Sequence, residues 1–184
     1  MKGVVFTEFL EMVEEAHGLV VVDRVIEGAA LESGGVYTSV GTYDHTELLA
    51  LVTNLAAEVK VPIPDLVRAY GEHLFGVFKK GHPAFFEGVS SAFDFLSQVE
   101  NHIHVEVRKL YPGAELPTFT AEFPKAGTME LTYQSPRPLA DFARGLIDGC
   151  VSEFGEEIDI SREDVECGTR FVLKIREPMP CPKN

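Results

Sequence analysis

The chain has 184 residues, 45% hydrophobic and 24% charged, the balance of a globular protein with length enough for a sizeable core. Its net charge of −13 argues against a nucleic-acid partner, which needs clustered Lys and Arg to meet the phosphates. Cysteines 150, 167 and 181 form no CxxC pair, and no apolar run makes a signal peptide or a membrane span, so a reduced, cytoplasmic protein away from the membrane is expected.

Val5, Phe6, Phe9, Leu10, Met12 and Val13 interleave with acids over residues 4 to 16, and Gly18 follows, which predicts a first helix and its stop. Val20 to Ile26 begins a second short helix, and Ser33-Gly34-Gly35 breaks the chain. From Glu47 to Val59, Leu48, Leu51, Val52, Leu55 and Val59 repeat at helical spacing, with Asp44 as the cap. Pro62 and Pro64 end that helix and open another from Asp65 to about Lys79. Gly71 and Gly76 fall inside it at about 1 kcal/mol each against alanine, and a glycine there usually marks the close approach of a helix or a ligand. Gly81-His82-Pro83 is a turn, and Ala84 to Val89 bridges to the next element.

Leu96, Val99, Ile103, Val107 and Leu110 recur at three- and four-residue steps, an amphipathic helix that Pro112-Gly113 stops. His102 and His104 stand about 200° apart around such a helix, so at most one faces inward. An inward imidazole without a second metal-ligating residue at chelating spacing suits an ion that already has most of its ligands. Haem iron, with four nitrogens from its ring, is such an ion. The ordinary alternative is a surface histidine or a hydrogen-bonded core one.

Beyond Pro117 the period changes to two. Phe119, Ala121 and Phe123 alternate with polar residues, Lys125-Ala126-Gly127-Thr128 is a turn, and Met129 to Tyr133 completes a hairpin. Leu139 to Phe154 returns to helix, Glu156 to Ile160 and Arg170 to Ile175 supply two more strands, and Pro178 to Asn184 reads as a disordered tail. Helices first, then a small antiparallel sheet interrupted by a helix, make the class α+β. In the stretch Tyr133-Gln134-Ser135-Pro136-Arg137-Pro138, strand geometry puts 133, 135 and 137 on one face, a phenol, a hydroxyl and a guanidinium that together grip a carboxylate. The competing reading is an arginine paired with one of the 29 acids.

His104, seven residues before Tyr111-Pro112, together with the downstream Tyr-x-Ser-x-Arg element, resembles the haem nitric oxide/oxygen binding family, the sensor domain also found in soluble guanylate cyclase. The resemblance spans residues 1–184 as one domain of the bacterial stand-alone type. It implies a helical N-terminal lobe (about 1–63), a haem-ligating and sheet lobe (about 64–177), the tail 178–184, and haem b (iron protoporphyrin IX) between the lobes. On that resemblance His104 is the proximal iron ligand and His102 an exposed neighbour. Tyr133, Ser135 and Arg137 hold the propionates, and Pro117 presses on the ring and distorts it. Val5, Phe9, Leu74, Phe78, Phe142 and Leu146 line the distal pocket. Members that bind oxygen stably place a tyrosine at the position of Phe142. The zinc site of one branch has no counterpart, since Ala140 stands at its first cysteine and the Cys167-Gly168-Thr169-Arg170 turn lacks a histidine. The cysteines are then free thiols, with a redox role at Cys167 or Cys181 as the alternative.

The function implied is a haem-based sensor that binds NO and CO, excludes O2, and signals through weakening of the His104 bond and relaxation of the haem against Pro117. The listener is a separate effector, a histidine kinase or a cyclic-di-GMP enzyme. Catalysis is not expected, because no nucleophile and base pair, phosphate loop or paired carboxylates stands in a persuasive context, and a peroxidase would need a polar distal acid/base pair. The alternative is a binding module for an apolar carboxylate without haem, using the same Arg137 grip and apolar pocket.

Overall fold

Four helices come first in the computed structural model, which describes residues 1–176: α1 (Val4–His17), α2 (Leu19–Glu27), α3 (His45–Val59) and α4 (Ile63–Gly81). The tail from Pro178 to Asn184, with Cys181, lies outside the described residues. Gly18 ends α1 at a φ of 82°, a left-handed conformation that glycine adopts without strain. Asp44 caps α3, its Oδ1 accepting the Thr46 N–H at 2.8 Å. Helix α4 starts two residues earlier than predicted, because Pro64 in its first turn lacks an N–H that would have had no partner there anyway. Phe6, Phe9 and Val13 of α1 pack with Leu51, Val52 and Leu55 of α3 and with Val67, Tyr70 and Leu74 of α4 in a first core. The α2–α3 loop is pinned by the buried Glu47, which accepts from the Ser33 hydroxyl at 2.5 Å and the Tyr37 hydroxyl at 2.7 Å.

The stretch expected to form one amphipathic helix is three pieces. A short α5 (Ala92–Ser97) leads into a π-helical turn (Val99–Ile103), and α6 (His104–Leu110) follows. In the turn, Ile103 N–H donates five residues back to Gln98 O at 3.2 Å, and His104 N–H donates to Val99 O. Leu96 is buried and Leu110 exposed, and the stripe of Leu96, Val99, Ile103, Val107 and Leu110 still faces one cavity.

Strands β1 (Thr118–Lys125) and β2 (Thr128–Gln134) form the predicted hairpin, and after helix α7 (Ala140–Phe154) come β3 (Ile158–Val165) and β4 (Gly168–Ile175). The sheet is antiparallel in the order β1-β2-β4-β3. The second hairpin is longer than expected, since the charged run Arg162-Glu163-Asp164 reads as loop but lies on an exposed edge strand paired to Phe171, Arg170 and Thr169. The class is α+β, as the order of elements implies. Met129 and Leu131 of β2, with Phe171 and Leu173 of β4, turn towards α5 and α7 in a second core.

Helix α4 joins the two cores, giving Leu74 to the first and Phe75 to the second, and crosses α7 at a pair of glycines. A methyl group on Gly71 would sit 2.4 Å from Phe142 O, and one on Gly145 would sit 1.9 Å from Arg68 O. The same expectation of close approach fails at Gly76, which has open space where a side chain would be. No helix among the described residues is long and apolar enough to cross a membrane.

Candidate functional site

A cavity opens between the two cores, walled by the first turn of α1, the second half of α4, α5 through α6, β2 and the start of α7. The room inside it for water-sized spheres is ≈ 240 Å³, and it opens to solvent at one side. Its lining is almost wholly apolar, so the few polar groups in it stand out.

His104 is one of them. It is the first residue of α6 and only 8% exposed, whereas His102 is exposed, as expected for two residues on opposite sides of one coil. Its Nδ1 lies 3.2 Å from Glu100 Oε2, and Nε2 makes no hydrogen bond among the described residues. Burial lowers the imidazole pKa, and the Glu100 carboxylate opposes that fall. The ring is therefore held neutral with Nδ1 as donor, which leaves the Nε2 lone pair free for an electrophile in the cavity. That is the donor a single axial metal position needs. Among the described residues no group of three or more His, Cys, Asp or Glu could hold a metal ion by itself.

Tyr133, Ser135 and Arg137 also line the cavity, but not as three residues of one strand face. Strand β2 ends at Gln134, and Pro136 and Pro138, which have no N–H to give a ladder, turn the chain. The turn is closed by Arg137 N–H donating to Ser135 Oγ at 3.1 Å. Burial raises the Tyr133 pKa, and Ser135 and Arg137 pull it back. The Arg137 guanidinium pairs with the exposed Glu115 carboxylate and donates to Glu115 O at 2.9 Å, so the ion pair and the cavity position coexist. An exposed partner of this kind is cheaply displaced by a carboxylate entering the cavity.

Val5, Leu74, Phe78, Phe142 and Leu146 line the cavity, as does Pro117, and Phe9 does not. Only the first turn of α1 reaches the cavity; Phe9, one turn further on, is fully buried in the helical core, edge-on to Tyr70 with ring centroids 5.2 Å apart. Tyr70 itself packs 5.3 Å from Phe142, and its hydroxyl already donates to Val5 O. The wall supplied by α1, α4 and α7 thus presents apolar surface and no free donor from this tyrosine.

Glu100, Glu115 and Tyr70 were not singled out from the sequence. Only Glu100 carried a signal, its spacing of four residues from His104, which brings two side chains together on a helix. Cys150 is buried, which raises its thiol pKa, while Cys167 is exposed in the β3–β4 turn.

A sequence model of the haem-NO-binding family matches residues 2–162. The structure is similar to the Fe(II) unliganded H-NOX protein from K. algicida, at 40% identity and a TM-score of 0.90, covering 98% of this chain and 99% of that one. It is similar to the IWP-051-bound H-NOX from Shewanella woodyi in the Fe(II)CO ligation state, at 42% identity and 0.84, covering 99% and 98%. An H-NOX protein from S. oneidensis in the Fe(II)NO ligation state is 28% identical with a TM-score of 0.88, covering 96% and 100%. No curated protein matches the chain.

Proposed function

Since the chain belongs to the haem-NO-binding family, we propose that it is a haem-based sensor of NO and CO that excludes O2 and has no catalytic activity of its own. The observation that carries this reading is that His104, with Nε2 unengaged, shares one apolar cavity with Tyr133, Ser135 and Arg137. His104 would hold haem b through its Nε2, Tyr133, Ser135 and Arg137 would hold the propionates, and Pro117 would bear on the ring. When bound, the haem supplies a ferrous iron able to take a diatomic gas.

The chain's own residues decide which gas. Val5, Leu74, Phe78, Phe142 and Leu146 offer no hydrogen bond, and Tyr70 holds its hydroxyl on Val5 O. Bound O2 is polar and gains from a donor, whereas NO and CO depend on one much less. The chain's own response would run through α6, which carries His104, and through Pro117, with residues 1–63 shifting relative to 64–177 as a strained arrangement gives way to a relaxed one. NO must favour the relaxed arrangement over the strained one, because a ligand indifferent to both shifts nothing. The change is read in the cytoplasm by a separate partner, a histidine kinase or a cyclic-di-GMP enzyme.

The test is an anaerobic absorption spectrum of the dithionite-reduced protein before and after NO, CO and air. A haem band that shifts with NO and CO, gives no stable oxy complex, and is lost in His104→Ala unless imidazole is added supports the reading. Protein that takes up no haem supports instead a binding module for an apolar carboxylate.

A further inference from the structure

We propose that Glu100 is the positioning residue for His104, its carboxylate both orienting the imidazole and fastening it to the edge strand of the sheet. The proposal rests on His104 being the axial ligand and adds what sets the strength of that bond. Glu100 is the second residue of the π-helical turn, and α6 begins at His104. One carboxylate oxygen, Oε2, meets His104 Nδ1 at 3.2 Å and accepts the Phe119 backbone N–H at 3.0 Å. The other, Oε1, lies 3.8 Å from the Arg108 guanidinium.

Phe119 sits in β1 opposite Tyr133 of β2, and its ring lies 5.8 Å from the His104 ring and 5.4 Å from the Tyr133 ring. The carboxylate is therefore the polar join between the helix that carries the axial imidazole and the strand pair that carries the first residue of the propionate grip. An anionic acceptor on Nδ1–H fixes the tautomer, stops the ring from rotating, and makes Nε2 a better electron donor. The Phe119 N–H takes part of the same oxygen's charge, so any movement of β1 alters what the imidazole receives. Arg108, half-exposed and at ion-pair range only, adds little by itself.

The experiment uses haem-loaded, ferrous, unliganded protein and reads the iron–histidine stretching band by resonance Raman, with amide hydrogen exchange at Phe119 as a second readout. Glu100→Gln keeps an acceptor but not its charge, so the band should move to lower frequency, and Glu100→Ala should move it further. Exchange at Phe119 should quicken on the order of tenfold in Glu100→Ala and less in Glu100→Gln, the scale of losing one hydrogen bond to a charged acceptor. Glu100→Asp should fall between wild type and Glu100→Gln, and Arg108→Gln should leave the band in place. If the wild-type band is present and lost in His104→Gly, yet stays at the same frequency in folded, haem-loaded Glu100→Gln and Glu100→Ala, the role of Glu100 is wrong and that of His104 stands. A wild-type protein without the band, or a band surviving in His104→Gly, would overturn both. Near-ultraviolet circular dichroism identifies a variant that has merely lost its fold, and Glu100→Gln, the mildest change, then decides.

Discussion

Three glycines in two crossing helices respond to alanine in opposite directions for reasons set out atom by atom. Gly76 has nothing within 4 Å of a built methyl group, so Gly76→Ala should gain the full helix-propensity difference, about 1 kcal/mol, or roughly 2–4 °C in Tm for a chain of this size. Gly71→Ala gains the same propensity, but its methyl would stand 2.4 Å from Phe142 O and 2.9 Å from both Gly145 Cα and Leu146 N. Contact distances are ~3.5–4.0 Å. All three neighbours are backbone, so α7 must retreat by roughly 1 Å, and overpacking of that sort costs ~1–3 kcal/mol. The net expectation is a loss of up to about 2 kcal/mol. Gly145→Ala meets Arg68 O at 1.9 Å and should be the least stable. Thermal and urea unfolding at equal haem loading check the order, because a bound ligand raises apparent stability by itself. Gly71→Ala as stable as Gly76→Ala would refute the packing argument. Phe142 and Leu146 line the cavity, so CO rebinding should change in Gly71→Ala and not in Gly76→Ala.

Phe142→Tyr places a phenol in the apolar wall beside Tyr70, and a stable oxy spectrum in air should appear that Phe142→Leu does not give. Glu115→Ala releases Arg137 from its exposed partner, and haem transfer to an apo-globin acceptor should slow roughly 1.5- to 5-fold, the equivalent of ~0.2–1 kcal/mol; a faster transfer would show that Glu115 supports the grip instead of competing for it. Glu47→Gln weakens the acceptor for Ser33 and Tyr37 and should cost about 1–3 kcal/mol near neutral pH. Burial pushes the Glu47 pKa up, but hydrogen bonds from Ser33 and Tyr37 outweigh it and leave the carboxyl below its ordinary 4.5. Its contribution is therefore present above that pH and is lost as pH falls through the lower folded value. In urea titrations the gap between wild type and Glu47→Gln should narrow on acidification through that window, and a constant gap would sink the assignment.

What could be read from the chain depended on whether the relevant physics is local. The Asp44 cap, the Gly18 stop and the hairpin around Gly127 are each decided within a few residues, and each is where the pattern puts it. The apolar stripe from Leu96 to Leu110 faces one cavity, but it hides the break into three pieces, because a π turn changes hydrogen-bond partners without changing composition and a three- and four-residue repeat fits either coil nearly as well. Strand β3 was cut short for the converse reason. Its charges answer to solvent at a sheet edge, and its pairing is dictated by β4 across the turn.

The Tyr133, Ser135 and Arg137 trio shows how a site can be legible when the geometry behind it is not. A strand face predicted the gathering, and a proline-flanked turn with a hydroxyl accepting from the Arg137 backbone produces it. Residue type survived the change of backbone because a carboxylate grip needs donors near one another and is indifferent to which backbone brings them there. Phe9 marks the opposite case. It stands four residues after Val5 in α1, yet the cavity ends after the first turn of that helix, and where a cavity ends is decided by α4 and α7 arriving from far along the chain. Glu100 lies between the two. Its spacing to His104 is local, but the Phe119 N–H that shares its oxygen comes from a strand nineteen residues on. The helix alone offers a pair; the tertiary fold makes it a junction.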